Sequence, residues 1–326
     1  QDLNAILRDL NLPEATLEQA AAKVREALAE RECLLILDDV WKTRSVGLLR
    51  TLPAGHVLIT TRQPDVAALS TDSPIVIEEM EPSEAVAVLT KYLSRDLVPT
   101  PYEESKLIQL AARLGEWALL LNIFGGTLRQ QINVSKRTLE AALSYVNTGL
   151  DSRGLQVFGR DEEGRNAALD ASMSVSLRNF TEAECTRLYE LAVFPNAVVI
   201  PESAVLTLWR GTARMDEFSG QELLARFAGG FTIPETNASF RIHDKLKEYL
   251  GGKLGGEASL VSIHRALISS YQEHYGDNWE NCDPYGIYYL AEHMRKSKLW
   301  DELLILYDQI SFIYTCLLYT SPSPRD

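Results

Sequence analysis

The 326 residues hold only four cysteines, Cys33, Cys185, Cys282 and Cys316, widely separated and without a Cys-x-x-Cys pair. That spacing argues against a disulfide framework and suits a reducing compartment, so a cytoplasmic protein is expected. No apolar run approaches the roughly 20 residues that a membrane-spanning helix needs, and the amphipathic opening at Gln1 is not a signal peptide. Positive charge is scarce too. Lys and Arg number 32 against 45 Asp and Glu, a net charge of −13, which argues against nucleic acid or an anionic membrane as the main partner. There is no Gly-x-Ser-x-Gly nucleophile elbow. Four of the histidines, His56, His264, His274 and His293, show no metal-ligand spacing and read as structural or surface residues. The phosphate-cradling pattern G-x-x-x-x-G-K-[ST] is also missing. Gly251-Gly-Lys-Leu-Gly-Gly256 has no Ser or Thr after its Lys and no strand leading into it, so it reads as a hinge.

Against these absences stands the octamer Leu34-Leu-Ile-Leu-Asp-Asp-Val-Trp41. Four aliphatic residues are what a strand buried on both faces needs, and the C-terminal ends of such strands are where open α/β sheets present ligand groups. Asp38 and Asp39 are hard oxygen donors of the kind Mg²⁺ takes one or two of. On that reading Asp38 supports the metal and Asp39 polarises a water; the alternative is a strand ending in two solvated acids. A second strand, His56–Arg62, ends in Thr60-Thr-Arg62, and an Arg fork there matches phosphate oxygens. Ser73-Pro-Ile-Val-Ile-Glu78 reads as a third strand, and Thr16-Leu-Glu-Gln19 as a capping box opening a helix over 17–31. Strand, connection, strand at this spacing predicts parallel α/β.

From residue 82 the pattern turns helical, with helices over 84–94, 106–113, 118–130 and 137–147, and a break at Gly115. A polar stretch over 149–166 is the candidate domain boundary. Helices then begin at Thr181, at Pro201 and at Gln221, and are followed by a hairpin over Phe231–Ile242, which is a winged-helix pattern. In His243-Asp244, Asp244 is placed to cap the next helix or to lean on its N-terminal dipole, and His243 to hydrogen-bond a phosphate; a purely local cap is the plainer alternative. The segment 259–313 is helical and aromatic-rich, suiting paired antiparallel helices. The last residues, with Ser321-Pro-Ser-Pro324, break that pattern. They resemble a translated adapter tail; a genuine Pro/Ser-rich linker is the alternative. The expected division is therefore 1–82 nucleotide-binding α/β, 83–150 helical, 151–253 winged helix, 254–313 superhelical, and 314–326 a non-native or disordered tail.

The collinear order of these pieces resembles the NB-ARC class of signal-transducing (STAND) P-loop ATPases, and in particular apoptotic protease-activating factor and its bacterial relatives. Leu34–Trp41 is similar to the family's Walker B strand and His56–Arg62 to its sensor strand. Glu116–Gly125 resembles the Gly-Leu-Pro-Leu-Ala-Leu segment, Phe240–Asp244 the Met-His-Asp motif, and Leu290–Leu304 the superhelical segment. The resemblance implies ADP or ATP with Mg²⁺ as ligands. Asp38 would lie near the metal, Asp39 would serve hydrolysis, Arg62 would sense phosphate, and His243 would touch the ADP β-phosphate. Ala118 and Asn122 would face the nucleotide. Ala118 departs from the family's adenine-packing Pro, a contact for which Trp117 offers apolar surface, and Ile242 replaces Met.

The function so implied is the central regulatory module of an ATP/ADP switch that oligomerises on nucleotide exchange to activate a defence, cell-death or signalling effector. With no P-loop, and no initiator Met, the chain is expected to be the interior of a longer, slowly hydrolysing ATPase and to be inactive by itself. An effector domain would precede it and a repeat sensor, such as WD repeats, would follow. Two alternatives stand beside this reading. One is a STAND-type transcription regulator binding DNA through its winged helix, although the third helix there offers one Arg and one Glu. The other is a degenerate, non-hydrolysing scaffold.

Overall fold

The computed structural model describes residues 17–309 apart from 31, 39, 41, 44–45, 48–54, 62, 78–79, 95–96, 156–157, 160, 237 and 277. The chain divides between residues 78 and 79 into two units, each described by itself.

In the first unit, helix α1 (Leu17–Ala27) precedes strand β1 (Leu34–Leu37), and strand β2 (His56–Ile59) precedes helix α2 (Pro64–Ser70). The strands are parallel, in register from Leu34↔His56 to Leu37↔Ile59. Parallel neighbours need a crossover rather than a tight turn, and the 18 residues between these two supply it. The period-2 alternation of a strand then sorts the side chains. Leu35, Leu37, Val57 and Ile59 face a small core of Ala21, Val24, Val40, Val46 and Val66. Leu34, Ile36 and Leu58 stay about half exposed, at 58%, 56% and 49%. This corrects the expectation of burial on both faces: among the described residues one face of the pair is covered. It also corrects the third strand. Residues 73–77 pair with neither β1 nor β2, and Ile75 and Ile77 are exposed. Pro74 has no N–H to give a ladder, which weakens that stretch as a strand despite its apolar run.

The second unit is helical with one small sheet. Helices α3 (Pro82–Thr90), α4 (Pro101–Arg113), α5 (Ala118–Asn133), α6 (Leu139–Asp151), α7 (Glu162–Ser176) and α8 (Glu182–Glu190) lead to strand β3 (Ile200–Pro201). Helices α9 (Glu202–Ala213) and α10 (Glu217–Phe227) are followed by the hairpin β4 (Ile233–Thr236) and β5 (Ser239–Arg241). Helices α11 (Asp244–Gly252), α12 (Glu257–Tyr275), α13 (Pro284–Lys296) and α14 (Trp300–Asp308) complete it. The sheet order is β3–β5–β4, all antiparallel. Helix α7 begins inside the polar stretch over 149–166 and runs ten residues beyond it, where the sequence carries no helix signal of its own. One hydrophobic core runs from Ala85 to Leu306, so the segments separated on sequence at 150 and 253 share an interior.

The helix starts are set locally. Thr100, Thr138, Asp161, Thr181, Asp216 and Asp283 each accept the amide three residues on. Such a cap contributes about 1 kcal/mol. Helix α5 is set instead by packing. Leu119, Leu120, Leu121, Ile123, Phe124, Thr127, Leu128 and Gln131 are all buried, the pattern of a helix enclosed on every side. Its polar members bond inward: the Thr127 hydroxyl donates to the Ile123 carbonyl at 2.9 Å and pairs with Ser176 of α7 at 2.8 Å. Neighbouring backbones approach α5 closely. A Cβ placed at Gly125 would lie 2.9 Å from the Leu89 carbonyl oxygen, and one at Gly126 would lie 2.4 Å from the Gly230 Cα.

Gly126→Ala is therefore expected to destabilise the chain by about 2–4 kcal/mol, because the new methyl meets the backbone of the 229–230 turn. Gly252→Ala in α11 meets nothing within 4 Å. Its stability should be unchanged or raised by up to about 1 kcal/mol. Urea unfolding of the two variants beside the parent chain checks both signs.

Candidate functional site

In the first unit the ladder between β1 and β2 continues past the strands themselves. The Thr60 amide donates to the Leu37 carbonyl at 3.0 Å and the Val40 amide to the Thr60 carbonyl at 2.9 Å. This extension sets Asp38 beside Thr60, whose hydroxyl donates to the Asp38 carboxylate. Next to it the Thr61 hydroxyl donates to the Val40 carbonyl at 2.6 Å and accepts from the Gln63 amide at 3.0 Å. Asp38 and Thr60 are exposed, at the carboxyl ends of two parallel strands. An exposed carboxylate with a hydroxyl beside it is a hard-oxygen donor set, and that chemistry suits Mg²⁺. Thr60 had been read as part of a sensor strand; its partnership with Asp38 spans 22 residues and has no local signal. Asp39, Trp41 and Arg62 lie outside the described residues, as does the tail over 314–326.

In the second unit Ala118 is the first residue of α5. Glu116 before it takes a left-handed φ of 48°. Trp117 stands at the cap position, where its side chain makes no cap hydrogen bond, and packs against Phe158 with ring centroids 6.0 Å apart. The indole is thus half-buried on the protein's own aromatic surface. Asn122 lies one turn on, and its amide is engaged at both ends. Its nitrogen donates to the Ala118 carbonyl at 2.8 Å, and its oxygen accepts from the Tyr92 hydroxyl at 3.4 Å. Tyr92 is a residue that the sequence does not flag. Its ring also lies over Gly229, where a Cβ would come within 2.9 Å of it and where φ is +84°.

His243 occupies the cap of α11. Its Nδ1 accepts the Lys245 amide at 3.2 Å, so the ring itself, and not Asp244 as the sequence suggested, is the capping side chain. Asp244 is the acid of the first turn, where it favours the helix dipole. Burial lowers the His243 pKa from its ordinary value, opposed by the neighbouring Asp244. A neutral ring accepting at Nδ1 carries its proton on Nε2. His243 therefore presents a neutral N–H donor of the sort that suits a phosphate oxygen. Asp38 belongs to the first unit, and Ala118, Asn122 and His243 to the second. Within the second unit, Ala118 and Asn122 share a helical turn, whereas His243 stands on a separate element.

Two other features are less suited to ligands. A cleft of about 430 Å³ between α4 and α6 is lined by Glu103, Lys106, Arg113, Glu140 and Asp151 among others, and none of the candidate residues faces it. Arg113 there is saturated, bonding the Asp151 carboxylate at 2.6 Å, the Asn147 amide oxygen at 3.2 Å and the Leu155 carbonyl at 2.8 Å. The Arg of α10, Arg226, pairs with Glu184, donates to the Asn179 carbonyl at 3.2 Å and stacks on Phe180 at 4.7 Å. It is committed to the fold and contributes little to phosphate neutralisation. No described helix is long and apolar enough to cross a membrane, and no group of three or more His, Cys, Asp or Glu able to hold a metal occurs among the described residues.

Comparison with known proteins adds two matches. The NB-ARC domain family matches residues 2–96, and the APAF-1 helical domain family matches residues 260–324. The second match takes in α12 to α14 and extends over residues that the sequence reading set aside as a tail. No curated protein matches the chain. NB-ARC domains are nucleotide-binding, which supports ADP or ATP in general terms. Both matches stand in the order of the motifs, and together they support an NB-ARC/STAND-type chain that is similar to Apaf-1 in its helical region.

Proposed function

We propose that this chain is the central regulatory region of an ATP/ADP switch, with Asp38 and Thr60 on the metal side of the nucleotide and His243 on its phosphate side. The observation that carries the reading is the pairing of Asp38 with the Thr60 hydroxyl at the carboxyl ends of two parallel strands, which is where α/β sheets bind ligands. Mg²⁺, when bound with the nucleotide, would neutralise phosphate charge. Thr60 orients the Asp38 carboxylate, and Asp39 and Arg62 adjoin this pair in sequence as the acid and the phosphate sensor. His243 donates from Nε2 while its Nδ1 holds the start of α11, so losing the phosphate contact and loosening that helix are linked events.

The region from α8 to β5 supports the winged-helix reading, with its three helices, a two-stranded wing and the sheet order β3–β5–β4. In the proposed switch this winged unit closes over ADP and opens on exchange for ATP, and the open form oligomerises to engage an effector. A ligand shifts such an equilibrium only by its differential affinity for the two forms. The internal engagement of Arg226 favours this regulatory role over DNA reading.

The proposal separates capping from ligand binding at one residue. His243→Ala removes the cap and the donor, and should cost about 1 kcal/mol of stability. His243→Asn retains a capping group and should recover most of that stability. In a chain carrying a P-loop ahead of residue 1, both variants should weaken ADP binding by about ten-fold, the loss of one hydrogen bond to a charged group, and raise the oligomeric fraction. Light scattering that shows the same monomer content in the parent and in His243→Ala would refute the switch role. Asp38→Asn should leave folding intact and lower Mg²⁺-dependent nucleotide affinity by at least about ten-fold, read by calorimetry with and without Mg²⁺.

A further inference from the structure

Two histidines that the sequence offered as unremarkable meet inside the helical region. His264 of α12 and His293 of α13 are 5% and 1% exposed, and their Nδ1 atoms lie 2.7 Å apart. The other nitrogen of His293, Nε2, lies 2.7 Å from the hydroxyl of Tyr285, which is itself buried. Phe194, just after the turn at Leu191–Val193, closes the cluster edge-on, 5.5 Å from the Tyr285 ring and 6.5 Å from His293. Two Nδ1 atoms at hydrogen-bond distance share one proton: one ring donates and the other accepts. With both rings neutral, every nitrogen of His293 is satisfied. A second proton turns the accepting Nδ1 into a donor, and the bond joining α12 to α13 becomes a repulsion.

The charged surroundings make that proton harder to place. From α13, Lys296 and Glu292 face the pair, tied to each other at 3.0 Å, with Arg295 at 3.9 Å from Glu292. From α12, Arg265 is engaged with the Ser297 carbonyl at 3.2 Å. From α11 comes Lys247, whose buried Nζ has no hydrogen-bond partner among the described residues, with Asp244, Lys296 and Glu292 as its charged neighbours. At the start of the turn, Glu190 and Arg187 are closed on each other at 2.7 Å. A further imidazolium would join the exposed ammonium of Lys296, with which Glu292 is already paired.

We propose that His264, His293 and Tyr285 form an acid-labile clasp between α12 and α13, so that protonating the imidazoles parts the two helices. The inference does not depend on the nucleotide reading.

Burial lowers the His264 pKa to about 4, with Lys296 adding to the shift and Glu292 opposing it, and holds His293 well below its ordinary value. The folded pKa values lie below the unfolded one, so the unfolded chain binds protons first as pH falls. The stability present above about pH 7 is therefore lost progressively between about pH 6.5 and pH 4. At pH 5.5, one unit below the free imidazole value and still above most carboxylates, His264 alone shifts the equilibrium about ten-fold.

Hydrogen exchange of the full 326-residue chain, read segment by segment at pH 7.5 and 5.5 and corrected for intrinsic rates, tests the clasp. Exchange over 257–275 and 284–296 should accelerate by about ten-fold or more at pH 5.5, while 202–227 changes by less than about three-fold. His264→Asn keeps a hydrogen-bonding group near the Nδ1 position without titrating in this range, so its acid acceleration should fall several-fold below the parent's. In His264→Asn/His293→Gln it should disappear, and if that double variant does not fold, the single one decides. Equal acid acceleration in the parent and His264→Asn, acceleration spread evenly over the second unit, or none in the parent would each overturn the proposal.

Discussion

The second unit depends on how closely other backbones can come to helix α5. Ala118–Asn133 is buried on nearly every side, and two of its approaches are at backbone distance, α3 against Gly125 and the 229–230 turn against Gly126. A helix in that position leaves its neighbours little freedom. The turn lying on it runs through Gly229-Gly230, and glycine is required at the first, which has φ +84° and sits beneath the Tyr92 ring. The hairpin leaving that turn then pairs with β3 and leads directly to His243. Thus a steric requirement at residue 126 fixes where the chain enters the segment that carries the capping histidine more than 100 residues later. Interiors at crystal-like packing density transmit such displacements, because there is no slack to absorb them.

The polar interior follows a related rule: buried hydrogen bonds join elements that hydrophobic contact alone would leave free to slide. Thr127 with Ser176 ties α5 to α7. Glu190, almost fully buried, is held by Arg187 at 2.7 Å and by the Thr212 hydroxyl at 2.9 Å, and the Trp209 indole donates to the Arg187 carbonyl at 3.1 Å. Burial raises the Glu190 carboxyl to about 7, against the pull of Arg187. With the guanidinium so close, the ion pair is the form that these contacts satisfy. Removing one member of such a group leaves an uncompensated buried charge, which costs more than the pair contributes. Tyr271, donating to Asp283 at 3.0 Å, does the same service between α12 and the cap of α13.

What the sequence makes legible is whatever is encoded within about one turn. The capping box at Thr181, the break at Gly115 and the apolar stripes of α5 and α6 depend on residues three or four apart, and those helices appear close to where the signals place them. Helix α4, by contrast, starts at Pro101 behind its Thr100 cap, five residues ahead of the stripe that marks it. The strand pair is legible for the same reason. Coverage of its faces is not, because a run such as Leu34–Leu37 states only that the strand is apolar; which side is covered depends on α1 and α2. The apolar run after Pro74 shows the same limit from the other direction, since strand propensity without a pairing edge yields exposed Ile75 and Ile77. The candidate site divides similarly. Asp38 and His243 are read from short motifs, but Thr60 beside Asp38, Tyr92 beside Asn122 and His264 beside His293 join residues 22, 30 and 29 apart. No periodicity carries such pairs. The choice of His243 over Asp244 as cap is also a matter of backbone geometry: the extended φ of −61° and ψ of 133° at His243 make it the residue outside the first turn.

The neutrality of His243 limits how much of the proposed switch it can carry alone. A hydrogen bond from a neutral imidazole to a charged phosphate contributes about 1.5–3 kcal/mol. Moving a two-state equilibrium from almost wholly closed to almost wholly open needs about 5.5 kcal/mol of differential affinity. His243 with one phosphate oxygen would therefore supply roughly a quarter to a half of the bias in that switch. The remainder has to come from groups that also distinguish the two forms. Within this chain the suitable ones are the metal-side pair Asp38–Thr60, with Asp39 and Arg62 beside it in sequence, and the cohesion of the joint behind α11. That joint holds a lysine, Lys247, whose pKa burial pushes down to about 8, so near neutral pH it keeps a charge that burial disfavours. A buried ammonium without a hydrogen-bonding partner favours any motion that hydrates it. In the proposed switch, opening at α11 would hydrate it, so release would not rest on the nucleotide contact alone.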